Sequence, residues 1–307
     1  MSTQPAAAVA SGRRAKLTPT DMALLGVVAV WGFGYVTFSL GQREIPTGLF
    51  NLLRYLIATP LFWLSVLRTG EDWRLPRRDW PRAVLTGVVG VLVYSMVFAT
   101  STKLTSAANI SLLLAMSPVW AVLMQWAGGK GAPTVGYAFG SLVAFGGAAM
   151  VIGFGANRLT LSLDTLGGDL VALAASVIWA WYGVAAQPLL RNHSGAKVQA
   201  WINLIALSGF ALWQAPAALH FDWASVSLTA WVSLLFVALA VTVFAHTVWY
   251  NAIAKVGPDR VLLAMYLIPA LAATGGALFL GQPFRVLQVA GAVVALVGVA
   301  MVRRSAA

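Results

Sequence analysis

The chain has 307 residues, of which 60% are hydrophobic and 9% are charged, and its mean hydropathy is +0.81. Soluble domains carry far more charge, so this composition excludes a soluble enzyme or binding domain and predicts a polytopic membrane protein. The formal net charge is +11, but the basic residues lie in short connections rather than over a soluble face, which argues against a nucleic-acid partner. The sequence contains no cysteine, so disulfides and cysteine metal sites are excluded.

The first 20 residues are rich in alanine and serine and carry Arg13, Arg14 and Lys16. An apolar stretch of membrane-spanning length begins near Asp21. A signal peptide has a shorter apolar core and a small-residue cleavage site. We therefore expect residues 1–20 to form a cytoplasmic tail and the apolar stretch to be an uncleaved first helix.

Apolar segments of about 20 residues, the length that crosses a bilayer, recur along the chain. They predict an all-α membrane protein with ten transmembrane helices. The longest polar connection, residues 69–82, carries Trp73 and Trp80 beside arginines, which suits either an interfacial segment or a plain solvated loop. The predicted helices cover about 21–41, 47–68, 82–101, 105–126, 134–154, 167–190, 197–219, 226–252, 258–280 and 284–303.

Two apolar segments with a central proline indicate an internal duplication. Pro118 lies in TSAANISLLLAMSPVWAVLMQW and Pro269 in PDRVLLAMYLIPALAATGGALFL, 151 positions later (269 − 118 = 151). A proline within a transmembrane helix frees a backbone carbonyl, here that of Leu114, which neighbouring groups can satisfy. We expect a kink or gating position at each proline, and two repeats covering 21–154 and 167–303.

Glycine pairs follow the two prolines at the same spacing. Gly140 and Gly147 correspond to Gly291 and Gly298. Small residues at such intervals allow transmembrane helices to approach closely. The pairs therefore fit either packing within the chain or a homodimer.

Lysine and arginine are distributed unevenly between the two sides of the predicted helices. Fifteen fall on the side of the N-terminus, and only Arg43, Lys103, Arg158 and Arg285 fall on the other side. The positive-inside rule then places both termini in the cytoplasm. Because each repeat has five helices, an odd number, the two repeats must be inverted, which is an architecture of transporters with a substrate site near the midplane.

Several segments resemble the EamA-type branch of the drug/metabolite transporter superfamily. They include FNLLRYLIATPLF, LTSAANISLLLAMSPVWAVL and IAKVGPDRVLLAMYLIPALAATGGALFLGQPF. The resemblance covers nearly the whole chain and implies a multi-pass transporter of the bacterial inner membrane that works by alternating access through a central cavity. It leaves the substrate open, because such transporters handle amino acids, purines, vitamins and drugs.

Arg54 is the only arginine or lysine deep inside a predicted helix. An ionised residue at that depth is a functional candidate, although it could also bind backbone carbonyls at a kink. Asn51, Tyr55, Ala58 and Phe62 share its helix face by their spacing, and we expect this face to line a cavity. All nine acidic residues lie at helix ends or in connections, which favours a facilitator or exchanger over an ion-driven pump.

His246 is the only histidine within a predicted helix. It could exchange protons near neutral pH or be a buried neutral side chain with satisfied hydrogen bonds. Deep aromatic residues could likewise be simple packing or the wall of a metabolite cavity. The residues expected to contact substrate are Arg54, Asn51, Tyr55, Trp31, Tyr35, Tyr94, Phe98, Trp120, Trp179, His246, Tyr250 and Tyr266.

Together these features predict an exporter or exchanger of small metabolites, most of all amino acids, whose partners are the small-molecule substrate and the lipid bilayer. A transporter of nucleobases, vitamins or drugs is the alternative. A polytopic enzyme would need a catalytic cluster, and away from their ends the predicted helices hold no carboxylate, and they hold no cysteine, to build one. We therefore expect no enzyme activity, no metal site and no cofactor.

Overall fold

The computed structural model describes residues 18–105, 107–129, 131–154, 163–271, 273–274 and 285–305. All regular structure in these residues is helical. Seven of the described helices are long and apolar enough to cross a membrane, and three shorter apolar helices accompany them. The all-helical membrane class is confirmed, whereas ten crossings remain a prediction. Most of the predicted tail, residues 1–17, lies outside the described residues.

The helices agree with the predicted segments to within a few residues at most ends. Several consist of consecutive segments of different helical type. In chain order they are α1 (Pro19–Gly41), α2 (Thr47–Thr69), α3 (Trp80–Leu85, Thr86–Val93 and Tyr94–Leu104), α4 (Ala107–Leu114 and Ser117–Ala127), α5 (Val135–Gly153), α6 (Leu163–Asn192), α7 (Gly195–His220), α8 (Leu228–Phe236, Val237–Phe244 and Ala245–Val256), α9 (Pro258–Leu262, then Leu263–Leu267 and on to residue 271) and α10 (Val286–Ser305).

Hydroxyl side chains cap the starts of four helices, and at α5 the side chain of Thr134 accepts a backbone N–H. Thr18 and Asp21 form a reciprocal capping box at α1, with Asp21 Oδ2 accepting from the Thr18 backbone N–H at 2.8 Å. Ser194 and Ser227 accept backbone N–H groups at the starts of α7 and α8. Such caps satisfy donors that the first helical turn leaves without a partner.

The middle segments of α3 and α8 are π-helical. They cover Thr86–Val93 and Val237–Phe244, so their starts are 151 positions apart (237 − 86 = 151), as are Pro118 and Pro269. Wide helical turns of this kind are rare and frequently mark functional sites. The sequence carried no signal for them.

Helix α4 is interrupted immediately before Pro118. A turn at residues 115–116 separates its two segments, and Pro118 lies in the first turn of the second. The Ser117 hydroxyl donates to the carbonyl oxygen of Leu114 at 2.6 Å, so a neighbouring side chain satisfies that carbonyl. In α9 a tight 3₁₀ segment, Leu263–Leu267, lies just before Pro269.

Helices α5 and α10 pack together through the four glycines noted above. A Cβ added at Gly140 would lie 2.8 Å from the backbone nitrogen of Val302, and one at Gly291 would lie 2.8 Å from that of Val151. Gly147 and Gly298 are closer still to the facing backbone. These glycines are used within the chain, so they give no support to a homodimer.

Carboxylates join connecting segments at the two ends of the helix bundle. At one end, here called the Glu44 end, Glu44 accepts hydrogen bonds from the backbone N–H and the hydroxyl of Ser227, both at 2.7 Å. These bonds lower the pKa of Glu44. At the other end, the Glu71 end, Glu71 accepts from Ser194, and Asp79 lies 2.8 Å from His193 Nε2.

The connection between α2 and α3 lies at the Glu71 end and carries two partly exposed indoles. Trp73 is 48% exposed and Trp80 is 37% exposed. The guanidinium of Arg74 lies 5.6 Å from the Trp73 ring centre. Indoles beside arginines suit the membrane interface.

Candidate functional site

A cavity lies between helices of both halves of the chain. It has about 890 Å³ of empty space, including the part that opens outward. The lining residues are Trp31, Gly34 and Phe38 of α1; Asn51, Arg54 and Tyr55 of α2; Gly90, Val91, Tyr94, Ser95 and Phe98 of α3; Leu114 of α4; Trp179 and Tyr182 of α6; Val241, Thr242 and His246 of α8; and Met265 and Ile268 of α9.

The cavity extends from the middle of the bundle toward the Glu44 end. Phe38 is near the end of α1, Asn51 is near the start of α2, and Phe98 is near the end of α3. These three helix ends meet the connections at the Glu44 end. Trp179 and His246, by contrast, lie near the middle of α6 and α8 and close the inner part of the cavity.

Arg54 supplies the positive charge of the cavity. Its guanidinium is half-buried, lies 4.4 Å from the Tyr55 ring centre and donates to the Tyr55 hydroxyl. That hydroxyl lies 3.1 Å from Ser95 Oγ, which holds Tyr55 in place. Among the described residues, no carboxylate forms a salt bridge with Arg54, and its buried Nε has no hydrogen-bond partner.

Asn51 and His246 also have buried polar atoms at the cavity that make no hydrogen bond in the described part of the chain. They are Oδ1 of Asn51, an acceptor, and Nδ1 of His246. A buried polar atom without a hydrogen bond costs about 1–3 kcal/mol. A ligand that offers an anion to Arg54 and a donor to Asn51 would relieve this cost.

Aromatic rings form the inner wall of the cavity. Trp31 and Trp179 pack edge to face with ring centres 5.6 Å apart, and the ring centre of Trp249 lies 4.7 Å from that of Trp31. The Trp31 indole donates to the carbonyl oxygen of Val241 at 3.2 Å, in the π-helical segment of α8. Hydrogen bonding and ring packing therefore fix a rigid apolar surface against which a substrate can lie.

The structure brings eight of the predicted substrate residues to the cavity. Four of the twelve are not placed there. Trp120 instead donates to Ser176 Oγ at 2.8 Å, Tyr250 is buried behind Tyr182, and Tyr266 packs with residues of α5 and α10. The side chain of Tyr35 lies outside the described residues. Those at the cavity are Arg54, Asn51, Tyr55, Trp31, Tyr94, Phe98, Trp179 and His246.

The predicted cavity face of α2 is shorter than expected. Ala58 and Phe62 do not line the cavity but pack with Val66 and Ala200 of α7. The expectation for these two residues is wrong because α2 lies against α7 beyond Tyr55, so the same face that is polar near its start is apolar packing further on.

Several residues that line the cavity were not predicted from the sequence. Ser95 lies 151 positions before His246 (246 − 95 = 151), so the duplication could have pointed to it. Tyr182 lies 148 positions after Gly34 (182 − 34 = 148), as Trp179 does after Trp31. Within the described residues, no group of three or more histidine, aspartate or glutamate side chains could hold a metal ion.

Comparisons with known proteins place the chain in a family. The EamA-like transporter family matches two successive segments, residues 18–153 and 166–304. The chain is 27% identical over 291 residues to a protein named "probable terminal-alkyne amino-acid exporter" from Streptantibioticus cattleyicolor, covering 94% of this chain and 95% of that protein. It is 25% identical over 250 residues to the uncharacterized transporter YyaM of Bacillus subtilis, covering 80% of each.

A solved crystal structure has the same fold. It is 19% identical in sequence and superposes with a TM-score of 0.77, covering 93% of this chain and 98% of the other. Because the matching family and relatives are transporters, transport explains the cavity between apolar helices. The alternative of a membrane enzyme is therefore removed. The chain belongs to the EamA-like transporter family and is a multi-pass membrane transporter.

Proposed function

We propose that this protein exports or exchanges small carboxylate-bearing metabolites, amino acids above all, across a bacterial inner membrane. The observation that carries the proposal is Arg54. Its guanidinium stays charged at any physiological pH and needs an acceptor inside the membrane. Since no described carboxylate forms a salt bridge with it, the carboxylate of a substrate is the acceptor that completes the site.

The rest of the cavity suits an amino acid. Oδ1 of Asn51, three residues before Arg54 on the same helix, accepts no hydrogen bond from the described residues and can receive a proton of an ammonium group. Trp31 and Trp179 offer an apolar wall to the side chain. The relative from Streptantibioticus cattleyicolor is named as an exporter of an amino acid, which supports the same substrate class.

The transport route follows from the proposed architecture of ten helices, with both termini in the cytoplasm and two inverted repeats at 21–154 and 167–303. Two successive matches to one family model support the duplication, as does the equal spacing of the π-helical segments. In this arrangement the Glu44 end faces away from the cytoplasm and the Glu71 end faces it. Substrate then passes by alternating access between these ends.

A neutral nucleobase is the second candidate substrate, because the tryptophan wall would also accept a planar ring. Such a ligand does not need Arg54. The two candidates are separated by counterflow in proteoliposomes with a panel of amino acids, amino-acid amides and nucleobases. We expect exchange of amino acids but not of amides, weaker exchange by Arg54→Lys and none by Arg54→Ala. Undiminished amino-acid exchange by folded Arg54→Ala would overturn the proposal.

A further inference from the structure

Four polar side chains are buried together next to the inner end of the cavity. Tyr182 of α6, Gln199 and Asn203 of α7 and Tyr250 of α8 are each at most 1% exposed. We call them the buried polar cluster. They lie toward the Glu71 end, because α7 begins there with Gly195 and because Tyr182 and Tyr250 are in the later parts of α6 and α8.

The buried polar cluster is incompletely hydrogen-bonded. Nδ2 of Asn203 donates to the backbone oxygen of Gln199 at 2.8 Å and to its Oε1 at 2.7 Å. Among the described residues, Oδ1 of Asn203 makes no hydrogen bond, and Gln199 has only poorly aligned contacts with the hydroxyls of Tyr182 and Tyr250. A buried polar atom without a hydrogen bond is destabilising, and lipid offers no partner.

Tyr182 separates the cavity from the rest of the buried polar cluster. One side of Tyr182 lines the cavity, and its ring centre is 5.1 Å from that of Tyr250. The ring lies on the backbone of α3, since a Cβ added at Gly90 would be 2.5 Å from Tyr182 Cδ2. A movement of this single ring would join the cluster to the cavity.

The sequence repeats the polar face of α2 on α7 without its charge. With the spacing that relates Trp31 to Trp179 (179 − 31 = 148), Asn51 corresponds to Gln199 and Tyr55 to Asn203. Ile202 then stands at the position of Arg54. The buried polar cluster therefore has the hydrogen-bonding groups of the first site but no ion to hold a carboxylate strongly.

Building on the transport function proposed above, we propose that the buried polar cluster is a second, uncharged site for the polar end of the transported metabolite. It is closed to solvent in this conformation, and it opens to water when the Glu71 end opens. Hydroxyl and amide groups bind an ammonium or carboxylate by hydrogen bonds alone. The substrate is held weakly there and is released.

The first test is water access, which requires no substrate. Ala186 is fully buried one turn after Tyr182 on α6, and the cysteine-free chain permits the single variant Ala186→Cys. We expect a small charged methanethiosulfonate to modify Cys at 186 at least 10-fold faster than at the control Ala148→Cys, which is equally buried between α5 and α10. Equal, very slow rates at both positions would overturn the proposal.

The second test is exchange with radiolabelled L-phenylalanine, whose carboxylate and ring match Arg54 and the tryptophan wall. Gln199→Met with Asn203→Leu removes the amides at similar volume. We expect the Kd of this double variant for L-phenylalanine to stay within about 3-fold of the parent value. Its rate of counterflow and the rate at which Cys at 186 is modified should each fall at least 10-fold. Gln288→Met, which loses a buried glutamine of α10, should exchange as the parent protein does.

The outcomes separate the two proposals. The second site would be overturned if the double variant exchanged L-phenylalanine as fast as the parent protein. It would also be overturned if the variant lost as much affinity for L-phenylalanine as it lost in exchange rate. If the parent protein neither binds nor exchanges L-phenylalanine, the proposed substrate class fails, and modification at position 186 still decides whether the buried polar cluster opens. If the double variant does not fold, each single substitution is compared with Gln288→Met by the same measurements.

Discussion

Two helix crossings that correspond in the sequence are packed in opposite ways. Where α1 meets α8, Gly34 faces Val241, and a Cβ added at Gly34 would be 2.9 Å from Val241 Cγ2. Where α6 meets α3, the counterpart of Gly34 is Tyr182, whose ring lies on Gly90. The first crossing is a close contact between a glycine backbone and a valine side chain, whereas the second holds a whole tyrosine ring. We expect this exchange of glycine for tyrosine to keep the cavity accessible from the Glu44 end and separated from the Glu71 end.

Removing the ring from the filled crossing should have the largest effect on stability. Tyr182→Ala deletes a fully buried aromatic side chain, which typically costs about 3–5 kcal/mol. We expect this loss in unfolding measurements, together with faster modification of Cys introduced at 186. Tyr266→Ala, equally buried beside α5 and α10, should cost as much without exposing position 186. If Cys at 186 were modified as slowly in Tyr182→Ala as in the parent protein, the Tyr182 ring would not be what separates the buried polar cluster from the cavity.

Adding one methyl group at each crossing should also distinguish the two crossings, with smaller losses of stability than that of Tyr182→Ala. At Gly90 the new Cβ would meet a ring held between Trp179 and Tyr250, so Gly90→Ala should destabilise by about 1–3 kcal/mol. At Gly34 the new Cβ would meet a single methyl group of Val241, a smaller contact than the ring at Gly90, so Gly34→Ala should cost less than Gly90→Ala. Thermal unfolding of the matched pair measures this difference. Equal losses would contradict the assigned packing.

The sequence predicted the helical membrane class and eight of the residues that line the cavity, because membrane-spanning length and a deep arginine are direct physical signals. Trp31 and Trp179 were found through depth and repetition. Tyr266 and Trp120 were misplaced because helices surrounded by lipid and by other helices are apolar on all sides, so periodicity does not show which side faces a cavity.

Other features had no counterpart in sequence patterns. The π-helical segments of α3 and α8 arise from the packing of whole helices, and no residue type demands them. Ser95 and Gly90 are ordinary residues of a transmembrane helix, and only the placement of Tyr55 and Tyr182 gives them a role. The contacts between the connections at each end also depend on tertiary structure, because Glu44 and Ser227 are 183 positions apart.

The carboxylates Glu71 and Glu44 at the two ends of the bundle should show the smallest of these differences in stability. Glu71 binds Ser194 and lies 4.0 Å from Nζ of Lys197, whose side chain is only 5% exposed. Loss of its charge in Glu71→Gln leaves that ammonium without its partner and should cost about 1 kcal/mol. Glu44→Gln acts on an exposed group and should cost less. Denaturation midpoints of the two variants would show the order, and a larger effect at Glu44 would reverse it.

The pH dependence should also differ between these variants. Hydrogen bonds from Ser227 lower the pKa of Glu44 in the folded protein. Its contribution to stability is therefore present above the unfolded pKa, about 4.3, and is lost as the pH falls through the folded value. Unfolding midpoints measured between about pH 3 and 6 should fall less steeply on acidification in Glu44→Gln than in the parent. An unchanged slope would show that the Ser227 contact is absent in solution.

Direct recognition of a carboxylate by Arg54 is tested most sharply by a calorimetric cycle. L-phenylalanine and L-phenylalaninamide, which lacks the carboxylate charge, are each titrated into the parent protein and into Arg54→Ala. We expect a coupling free energy of about 2 kcal/mol or more between the carboxylate and Arg54, which is roughly 30-fold in Kd. Measurable binding of L-phenylalanine to the parent with a coupling free energy near zero would contradict the account, because Arg54 would then not contact the carboxylate.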